Sequence, residues 1–369
     1  MTFNFISINL SKRFDKTKEL ILGNSKTQKR VTIKDVAKHA NASMSTVSMV
    51  VNQKGYVSDE KRKVILNSIR KLGYYPTASA RNLASNRTNN IGFILRESHF
   101  TLSEPFYTRI FLGTEFESKK HNFYVLLATV SDDYKKEIDT PRLLKERNVD
   151  GIIIAGKVSI ELLEEVEESG IPFILVDYQY KSFPYISADN MDSSMEAVQY
   201  LIDKGHSDIS FIGADPYHPS ISKRLEGYQL AMLKAGYTDT TELVFLDEEN
   251  DPTLQIGYNL GAKLFKSGVK PTAVFCANDA MALGFMKYAE QHKLRIPEDV
   301  AVIGFDDVEG AKFSSPKLTT IRVYKEQFGE LALRYLTEII ESKEENHKGY
   351  ERGSHLLTVP TELVVREST

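Results

Sequence analysis

The stretch "TIKDVAKHANASMSTVSMVVN", residues 32–52, decides the fold of the N-terminal part of the chain. It contains two runs with apolar residues at helical spacing, separated by a short turn at residues 40–42, and it holds no Pro or Gly. Thr32 and Ser43 stand just before the two runs, and both are residue types that cap helix N-termini. The stretch therefore predicts a short helix through His39, a tight turn and a second helix.

A third helix is predicted at "DEKRKVILNSIRKLG", residues 59–73. Ser58 precedes it as a candidate N-cap, and Gly73 ends it, because glycine readily adopts the left-handed conformation that follows many helices. Three helices of this length would bury one small core together. The apolar residues of the third helix are Val64, Ile65, Ile69 and Leu72, and those of the second are Val47, Val50 and Val51.

The charged residues divide unevenly along the chain. Residues 1–90 hold 17 Lys and Arg against five Asp and Glu, whereas residues 91–369 hold 30 against 45. A basic, helix-rich head fits a protein that binds the phosphate backbone of DNA, because each neutralised phosphate releases counterions. The alternative is a solvated basic tail without a partner.

The cysteine count and the lack of targeting signals in this sequence bear on two questions: whether the protein holds a disulfide or a metal, and in which cell compartment it is found. One cysteine, Cys276, excludes an internal disulfide, and the eight histidines are scattered, so we expect neither a metal site nor a cofactor. Residues 1–30 are polar and rich in lysine, which predicts a disordered extension; the alternative is a start site assigned too far upstream. No signal-like segment and no apolar run of about 18 residues occurs. We expect a cytoplasmic, nucleoid-associated protein that binds no membrane.

From Asn90 onward, apolar runs alternate with amphipathic runs of helix length. Runs that are apolar throughout are typical of strands buried on both faces of a parallel sheet. Eight or nine such runs suit two similar α/β sheets side by side, with a ligand-sized cleft at the carboxyl ends of the strands. The runs are "IGFIL", "FYVLLAT", "GIIIAG", "PFILVD", "YISAD", "ISFIG", "LVFLD", "AVFCAN" and "VAVIGFDD".

A series of motifs follows the two capped helices. They are "GYVSDEKRKVI", "LGYYPTASARNLAS", "RTNNIGFIL", "KGHSDISFIG", "RLEGY", "PTAVFCANDAMALGFM", "IPEDVAVIGFDD", "LTTIRV" and "PTELVVREST". With residues 32–52 they resemble the LacI/GalR (lac-repressor) family of bacterial transcriptional regulators, over residues 32–369. The resemblance implies a three-helix helix-turn-helix DNA-binding domain, a hinge helix, and an α/β body like a periplasmic binding protein, with two Rossmann-like subdomains.

The resemblance also implies domain boundaries. The helix-turn-helix domain would comprise residues 31–76, the hinge helix and linker residues 77–89, and the effector-binding and dimerisation domain residues 90–369. In that last domain the N-subdomain would comprise about 90–188 and 322–350, and the C-subdomain about 189–318 and 354–369.

Carried over onto this sequence, the second helix becomes the recognition helix, whose N-terminal residues face base edges in the major groove. The base-facing positions hold Met44, Ser45, Ser48 and Met49. The remaining DNA-binding positions hold Thr32, Ser43, Thr46, Asn52 and Tyr56, the last four facing phosphates. Position 49 is often Arg in the family, which suits a bidentate contact with guanine. Met49 offers only apolar contact, for example to a thymine methyl; the alternative is that it packs against the third helix.

Residues 77–85 match the family's hinge helix, which folds on DNA and inserts a Leu into the minor groove from each half of a dimer. Leu83 holds that position here, with Arg81 beside it. An apolar wedge of this kind unstacks a base step and bends the duplex. The alternative for Leu83 is ordinary packing between domains.

Three polar residues fall on positions that contact the effector in the family: Arg224, Asn278 and Asp306. Arg and Asp can each bind neighbouring hydroxyls, and Asn both donates and accepts. Asp279 is expected to cap the helix that follows it. A purely structural role is the alternative for Asp306 and for Asp307.

Four aromatic residues lie in loops after predicted strands and could stack on a sugar ring. We select Phe106 and Tyr178 over Tyr107 and Tyr217. The loop before Phe106 is longer than is usual in the family, so ordinary packing is the alternative for these rings.

These features predict a sequence-specific DNA-binding regulator, expected to be a repressor. It would bind a pseudo-palindromic operator as a homodimer, and a small ligand in the cleft, most simply a sugar or sugar derivative, would alter the spacing of the paired hinge helices. The alternative is a cytoplasmic solute-sensing protein whose DNA-binding head no longer reads sequence. An enzyme is disfavoured, because the sequence has no Walker loop, nucleophile elbow or dinucleotide glycine fingerprint.

Overall fold

The computed structural model describes residues 31–52, 55–75, 87–100, 106–344 and 356–369. The chain divides into two compact units, the first ending at Arg87 and the second beginning at Thr88. The predicted hinge helix, with Leu83 and Arg81, lies outside the described residues, as does the predicted disordered extension.

The first unit contains three helices in its described part: α1 (Ile33–His39), α2 (Met44–Val51) and α3 (Asp59–Leu72). Each contributes to one core, in which Val36, Val47 and Ile65 are fully buried. Of the apolar residues of α3, Ile65 reaches this core, whereas its neighbour Val64 is 45% exposed. The unit is therefore the small helical bundle that the sequence predicts.

The helix N-termini of this unit are capped differently. The Asp35 carboxylate accepts hydrogen bonds from the backbone N–H and the hydroxyl of Thr32, at 2.8 and 2.7 Å. The Ser43 hydroxyl accepts the backbone N–H of Thr46 at 3.0 Å. Ser58 is the N-cap residue of α3, as predicted, but its side chain makes no capping hydrogen bond. Two acidic residues in the first turn of α3 complement the helix dipole instead.

The second unit is built on two six-stranded sheets. The first has the order β11-β5-β4-β3-β1-β2 and the second the order β12-β10-β9-β8-β6-β7. We call the parts built on them the N-subdomain and the C-subdomain. The strands of the first sheet are β1 (Asn90–Arg96), β2 (Tyr124–Val130), β3 (Gly151–Ala155), β4 (Phe173–Val176), β5 (Tyr185–Ala188) and β11 (Leu356–Val359). Those of the second are β6 (Ile209–Ala214), β7 (Val244–Asp247), β8 (Ala273–Cys276), β9 (Ala301–Asp306), β10 (Thr319–Val323) and β12 (Thr361–Val364).

The strand pairs are parallel except for β10 and β12, which run antiparallel. The central strands are buried on both faces: Ile152, Ile153 and Ile154 are all inaccessible to solvent. This burial explains why their sequences are apolar throughout instead of alternating. The predicted α/β architecture of two sheets is confirmed.

Helices cover both sheets. In the N-subdomain they are α4 (Phe106–Ser118), α5 (Arg142–Lys145), α6 (Ile160–Ser169) and α12 (Lys325–Glu344). In the C-subdomain they are α7 (Asn190–Asp203), α8 (Pro219–Lys234), α9 (Leu254–Lys266), α10 (Asp279–Gln291) and α11 (Glu309–Phe313). Helices α4 and α12 approach closely because both carry a glycine at the contact. A Cβ atom at Gly113 would lie 2.0 Å from the carbonyl oxygen of Glu326, and one at Gly329 would lie 2.0 Å from that of Ile110.

The chain passes between the subdomains after β5, after β10 and after β11. Two predicted boundaries are therefore wrong. Residues 322–323 belong to the C-subdomain, because β10 pairs with β9, and residues 356–359 belong to the N-subdomain, because β11 pairs with β5. The first crossover falls at Asp189, between β5 and α7.

Candidate functional site

The N-terminal end of α2 is an exposed, hydroxyl-rich surface in the first unit. Met44 is 54% exposed, and Ser43 and Ser45 are also exposed. The Ser43 hydroxyl lies 2.7 Å from those of Ser45 and Thr46. These short polar side chains therefore hold one another in place around the first turn of the helix predicted to read DNA.

The other residues predicted to contact DNA also reach the surface of this unit. Thr32 is exposed, Tyr56 is 94% exposed, and Ser48 is half-buried. The Asn52 side chain donates to the Ser48 hydroxyl at 3.1 Å, which links the last turn of α2 to the residue that follows the helix. An aromatic ring as exposed as that of Tyr56 has little structural use in the free protein, so it is available for a partner.

Met49 is half-buried and packs against the core of the first unit. Its sulfur lies where a side chain at Gly55 would be, 2.9 Å from an added Cβ. Gly55 has φ of 73°, a conformation that glycine adopts readily. The free protein thus holds Met49 against the loop after α2, with part of its side chain still accessible.

A cavity of about 620 Å³ lies within the second unit. Residues of both subdomains line it, and several follow the carboxyl ends of strands, where open α/β sheets bind ligands. Four of the five residues predicted to bind an effector line this cavity: Phe106, Arg224, Asn278 and Asp306.

Arg224 is held in the cavity wall by several hydrogen bonds. It projects from α8 and is 4% exposed. Its guanidinium donates to the Asn190 side chain at 2.8 Å, to the Ala277 carbonyl at 2.6 Å and to the Asp306 carboxylate at 3.3 Å. The Phe305 ring lies beneath it, 3.7 Å from the guanidinium carbon. Arg224 is therefore a rigid donor whose orientation is set before any ligand binds.

Asp306 ends β9 in an unusual backbone conformation, with φ of 114°. Its carbonyl oxygen accepts a hydrogen bond from the ammonium group of Lys325, a residue that is only 3% exposed. Burial raises the pKa of the Asp306 carboxyl, and the nearby Arg224 opposes this shift. By contrast, Asp307 does not line the cavity: it bonds Arg322 at 2.7 Å and Arg366 at 2.5 Å, a structural role.

Asn278 has a double role at the start of α10. Its side-chain oxygen accepts the backbone N–H of Met281 at 2.9 Å, and its amide group donates to the Pro252 carbonyl at 3.0 Å. The prediction that Asp279 caps this helix is therefore wrong, because Asn278 is the cap. Asp279 is buried, accepts hydrogen bonds from Thr320 and the Val308 backbone, and has a pKa raised by burial to about 8.

One wall of the cavity is aromatic. Phe106 and Tyr107, in the first turn of α4, meet edge to face at 5.1 Å between ring centres. The ring of His99 stacks on Tyr107 at 4.5 Å, and the Tyr107 hydroxyl donates to Asp177 at 2.9 Å. Burial and the neighbouring Arg96 lower the pKa of His99 to about 3. His99 is therefore neutral at physiological pH.

Tyr178 was predicted to stack on a ligand ring in the cavity. The structure does not place it there, because Tyr178 does not line the cavity. Its side chain packs against a separate cluster of the N-subdomain, with its ring centre 5.9 Å from that of His218. Tyr217 is 74% exposed and also lies outside the cavity wall. Tyr107 takes the place expected of Tyr178, because the first turn of α4 directs two consecutive rings into the cavity.

Three polar contacts that were not predicted from the sequence join the two subdomains. Arg96 bonds both carboxylate oxygens of Asp251 at 3.1 Å, Lys157 bonds Asp215 at 2.8 Å, and the Ser220 hydroxyl donates to Asp177 at 2.5 Å. The sequence did indicate one side of each contact, because Arg96, Asp177 and Asp215 each stand at or just after the carboxyl end of a strand. Their partners could not be paired with them from sequence alone.

Two further observations bear on the kind of site. Within the described residues, no cluster of three or more His, Cys, Asp or Glu side chains is arranged to hold a metal ion. Among the same residues, no helix is both long and apolar enough to cross a bilayer. The sites described above are an exposed helix terminus in one unit and a cavity with polar and aromatic walls in the other.

Comparison with known proteins links both sites to one family. Residues 32–77 match the family model "Bacterial regulatory proteins, lacI family", and residues 198–369 match the "Periplasmic binding protein-like domain". The HTH-type transcriptional regulator RegA of Clostridium saccharobutylicum is 33% identical over 342 residues, which are 92% of this chain and 99% of that protein.

Two solved structures are similar over 92% of this chain. One is the complex of the transcriptional regulator CelR with cellobiose, at 28% identity, a TM-score of 0.68 and 100% coverage of that chain. The other is the lac repressor dimer bound to operator and the anti-inducer ONPF, at 25% identity, a TM-score of 0.75 and 99% coverage. The prediction from the motifs is confirmed: this chain belongs to the lacI family of bacterial regulatory proteins and is a ligand-controlled, DNA-binding transcriptional regulator.

Proposed function

We propose that this protein is a transcriptional repressor that acts in the cytoplasm, binds a pseudo-palindromic operator as a homodimer, and responds to a sugar or sugar derivative in the cavity of its second unit. The observation that carries the proposal is the cavity itself. A preoriented guanidinium, that of Arg224, and a carboxylate, that of Asp306, line the same cavity as the Phe106 ring, a combination that suits a polyhydroxylated ring. CelR, with cellobiose bound, has a similar fold.

In this proposal Phe106 stacks on the ligand, and Arg224, Asn278 and Asp306 bind its hydroxyls. Because these residues come from both subdomains, a bound ligand would favour one relative orientation of the two sheets. That orientation would alter the spacing of the two DNA-binding units in a dimer. The coupling must be reciprocal, so operator DNA would change the ligand affinity by the same factor. We assign the cavity no catalytic role.

On DNA, α2 would enter the major groove. Met44, Ser45, Ser48 and Met49 would meet base edges, while Ser43, Thr46, Asn52 and Tyr56 would contact phosphates, together with Thr32. Leu83 and Arg81 would act in the minor groove. The exposure of Met44 and Tyr56 supports this assignment.

An apolar surface on the N-subdomain supports the proposed homodimer. Leu112 and Phe116 on α4 are 40% and 57% exposed, and Tyr124 and Leu127 on the edge strand β2 are 64% and 38% exposed. Exposed apolar side chains on an edge strand and on a helix are typical of an interaction site. We expect Phe116→Glu to yield monomers by analytical ultracentrifugation, whereas Ile138→Glu, at an apolar residue 76% exposed outside this surface, should leave the dimer intact.

The ligand response is tested with Arg224→Ala and the control Lys223→Ala, its exposed neighbour on α8. DNA fragments are first selected with the purified protein, and operator binding is then titrated with and without candidate sugars. We expect Arg224→Ala to bind operator normally but to lose the ligand effect, while Lys223→Ala behaves as wild type. An Arg224→Ala protein that still responds would contradict the proposal.

A further inference from the structure

We propose that the ligand is a sugar derivative with an acidic group, a phosphate or a carboxylate, and that Arg96 and His99 bind this group. This inference rests on the proposed function, since it names the chemical class of the ligand in the same cavity. Two nitrogen atoms on residues that line the cavity carry it, Nε of Arg96 and Nδ1 of His99. Both are buried and have no hydrogen-bond partner within the described part of the chain.

Both of these atoms are hydrogen-bond donors. Nη2 of Arg96 lies 2.6 Å from Nε2 of His99. Because a guanidinium can only donate, Nε2 is the acceptor, and the proton of the neutral ring lies on Nδ1. Burial and the charge of Arg96 lower the pKa of His99 to about 3, which keeps the ring neutral at physiological pH. A buried donor without a partner is unfavourable, so an acceptor supplied by a ligand would stabilise this part of the cavity.

Arg224, which also lines the cavity, shows what a committed arginine looks like. All three of its guanidinium nitrogens donate, to a side-chain amide, a backbone carbonyl and the Asp306 carboxylate. The Asp306 side chain is only 12% exposed, so it would be left buried and unpaired if Arg224 turned to an anion. Arg224 therefore suits hydroxyl groups that join its existing network.

Arg96 is bonded quite differently. Its Nη2 atom bonds both carboxylate oxygens of Asp251 at 3.1 Å as well as His99, so one nitrogen serves three acceptor atoms while Nε serves none. Its Nη1 atom lies 3.4 Å from Asp132. The side chains of Asp251 and Asp132 are 43% and 48% exposed. Both carboxylates can therefore turn to water and be replaced by a ligand without becoming buried and unpaired.

An acidic group fits this guanidinium better than its present partners do. A carboxylate or a phosphate binds arginine most strongly through two parallel hydrogen bonds from two different nitrogen atoms. An oxyanion bound across Nε and Nη2 of Arg96 would use the unpaired donor and keep the charge paired. The Nδ1–H group of His99 supplies a further donor. A neutral hydroxyl has one oxygen and no charge, so it cannot replace a carboxylate in the same way.

The positions of the two side chains are set by their neighbours. The His99 ring stacks on Tyr107 with 4.5 Å between ring centres. Gly156 follows β3 with φ of 77°, and a Cβ atom there would lie 2.8 Å from Nδ1 of His99 and 2.7 Å from Cζ of Tyr107. Only glycine lets both rings pack against this turn. The bond to His99 then fixes the guanidinium of Arg96.

Binding of an acidic group would also act on the two subdomains. Arg96 ends β1 in the N-subdomain, and Asp251 precedes α9 in the C-subdomain, so their ion pair joins the two. A ligand that takes the place of Asp251 exchanges this contact for one of its own. The charge of the ligand would thus contribute to the regulatory response as well as to affinity.

The test uses the full-length protein and sugars that differ in their acidic group. One set is glucose, glucose 6-phosphate and glucuronate, a second is the corresponding galactose set, and inorganic phosphate is added alone. Binding is measured by isothermal titration calorimetry at pH 7. We expect at least one acidic sugar to bind about tenfold or more tightly than its neutral counterpart, because charge-assisted hydrogen bonds are the stronger ones. Inorganic phosphate should bind more weakly than the sugar phosphate, because it lacks the ring.

Two variants assign the effect to Arg96. Arg96→Gln should bind the acidic sugar no more tightly than the neutral one, whereas Arg142→Gln, at an exposed ion-paired arginine on α5, should bind like wild type. Asp251→Asn removes the competing carboxylate and should bind the acidic sugar more tightly, a gain that misfolding cannot imitate. Asp203→Asn makes the same charge change at an exposed residue at the end of α7 and should have no effect.

The outcomes separate this inference from the function on which it rests. If a neutral sugar binds as tightly as its acidic counterparts, or more tightly, the inference is wrong while the sugar-controlled regulator stands. If Arg96→Gln keeps the preference for the acid, or inorganic phosphate binds as tightly as the sugar phosphate, the assigned contact is wrong. If no sugar of either kind binds, the proposed function fails and the inference fails with it.

Discussion

The hydroxyl of Ser220 donates a 2.5 Å hydrogen bond to the carboxylate of Asp177, which joins the first turn of α8 in the C-subdomain to the residue after β4 in the N-subdomain. The other oxygen of Asp177 accepts the Tyr107 hydroxyl at 2.9 Å. Asp177 is 7% exposed, so this bridge lies at the inner wall of the cavity and not at its rim. Because the two residues belong to different subdomains, the bridge favours the relative orientation that the structure shows.

We expect Ser220→Ala to weaken ligand binding about fivefold, because loss of one hydrogen bond of this kind costs about 1 kcal/mol. Calorimetry with the preferred sugar measures the change. Ser222→Ala, at an exposed position of the same helix, is the control. Equal losses in both variants would mean that the bridge does not favour the ligand-binding orientation.

Replacement of the cap at α2 should destabilise the DNA-binding unit more than replacement of a similar serine at α3. Ser43→Ala removes a hydrogen bond to the Thr46 backbone, and we expect a cost of about 1 kcal/mol to the unfolding of this unit. Ser58 makes no such bond, so Ser58→Ala should cost less than half as much. Hydrogen exchange of amides in α1 to α3 of the full-length protein compares the two.

Met49→Arg should change which operators are bound. Met49 offers apolar contact only, whereas Arg at this position can form a bidentate contact with guanine that contributes about 1–3 kcal/mol of discrimination. Sequencing of DNA selected by each protein should show guanine enriched at one position of each half-site for the variant alone. The extra charge should also steepen the dependence of affinity on salt. Identical selected sites would mean that residue 49 does not reach the bases.

Glu117 provides a test of stability against pH. This carboxylate on α4 accepts hydrogen bonds from Arg334 on α12 at 2.7 Å and from Lys120 at 2.5 Å, and these partners lower its pKa to about 2 from an ordinary value of 4.5. Because folding favours the ionised form, the stabilisation is present above about pH 4.5 and is lost as pH falls toward 2.

We therefore expect Glu117→Gln to lower the free energy of unfolding by about 2 kcal/mol at pH 7. The difference from wild type should shrink as the pH falls from 5 toward 3. Urea denaturation at each pH measures both values, and Glu115→Gln, a more exposed position on α4, is the control. A difference that does not depend on pH would show that Glu117 acts through packing and not through its charge.

Local signals in the sequence predicted much of the fold. Caps at Thr32 and Ser43 marked the first two helices, and long apolar runs marked the buried parallel strands. The short strands β10 and β11 were assigned to subdomains less well than the others. The exposure along β11 is mixed, and its place depends on pairing with β5, about 170 residues earlier, so no local pattern could assign it.

The same limit applies to the cavity. Arg224, Asn278 and Asp306 could be selected because they stand on motifs of the family at strand ends or helix starts. Tyr178 was preferred to Tyr107, since which ring faces inward depends on the direction of the first turn of α4. The pairing of Arg96 with Asp251 joins residues 155 positions apart, and only the folded chain brings them together.

The adjacency of β11 and β12 has a consequence for how the protein is made. These strands are separated by Pro360 alone, yet β11 completes the sheet of the N-subdomain and β12 completes that of the C-subdomain. On the ribosome, neither subdomain can acquire its last strand until residues 356–364 have been synthesised. Up to that point the nascent protein has two unfinished sheet edges, which must be kept from pairing with other chains.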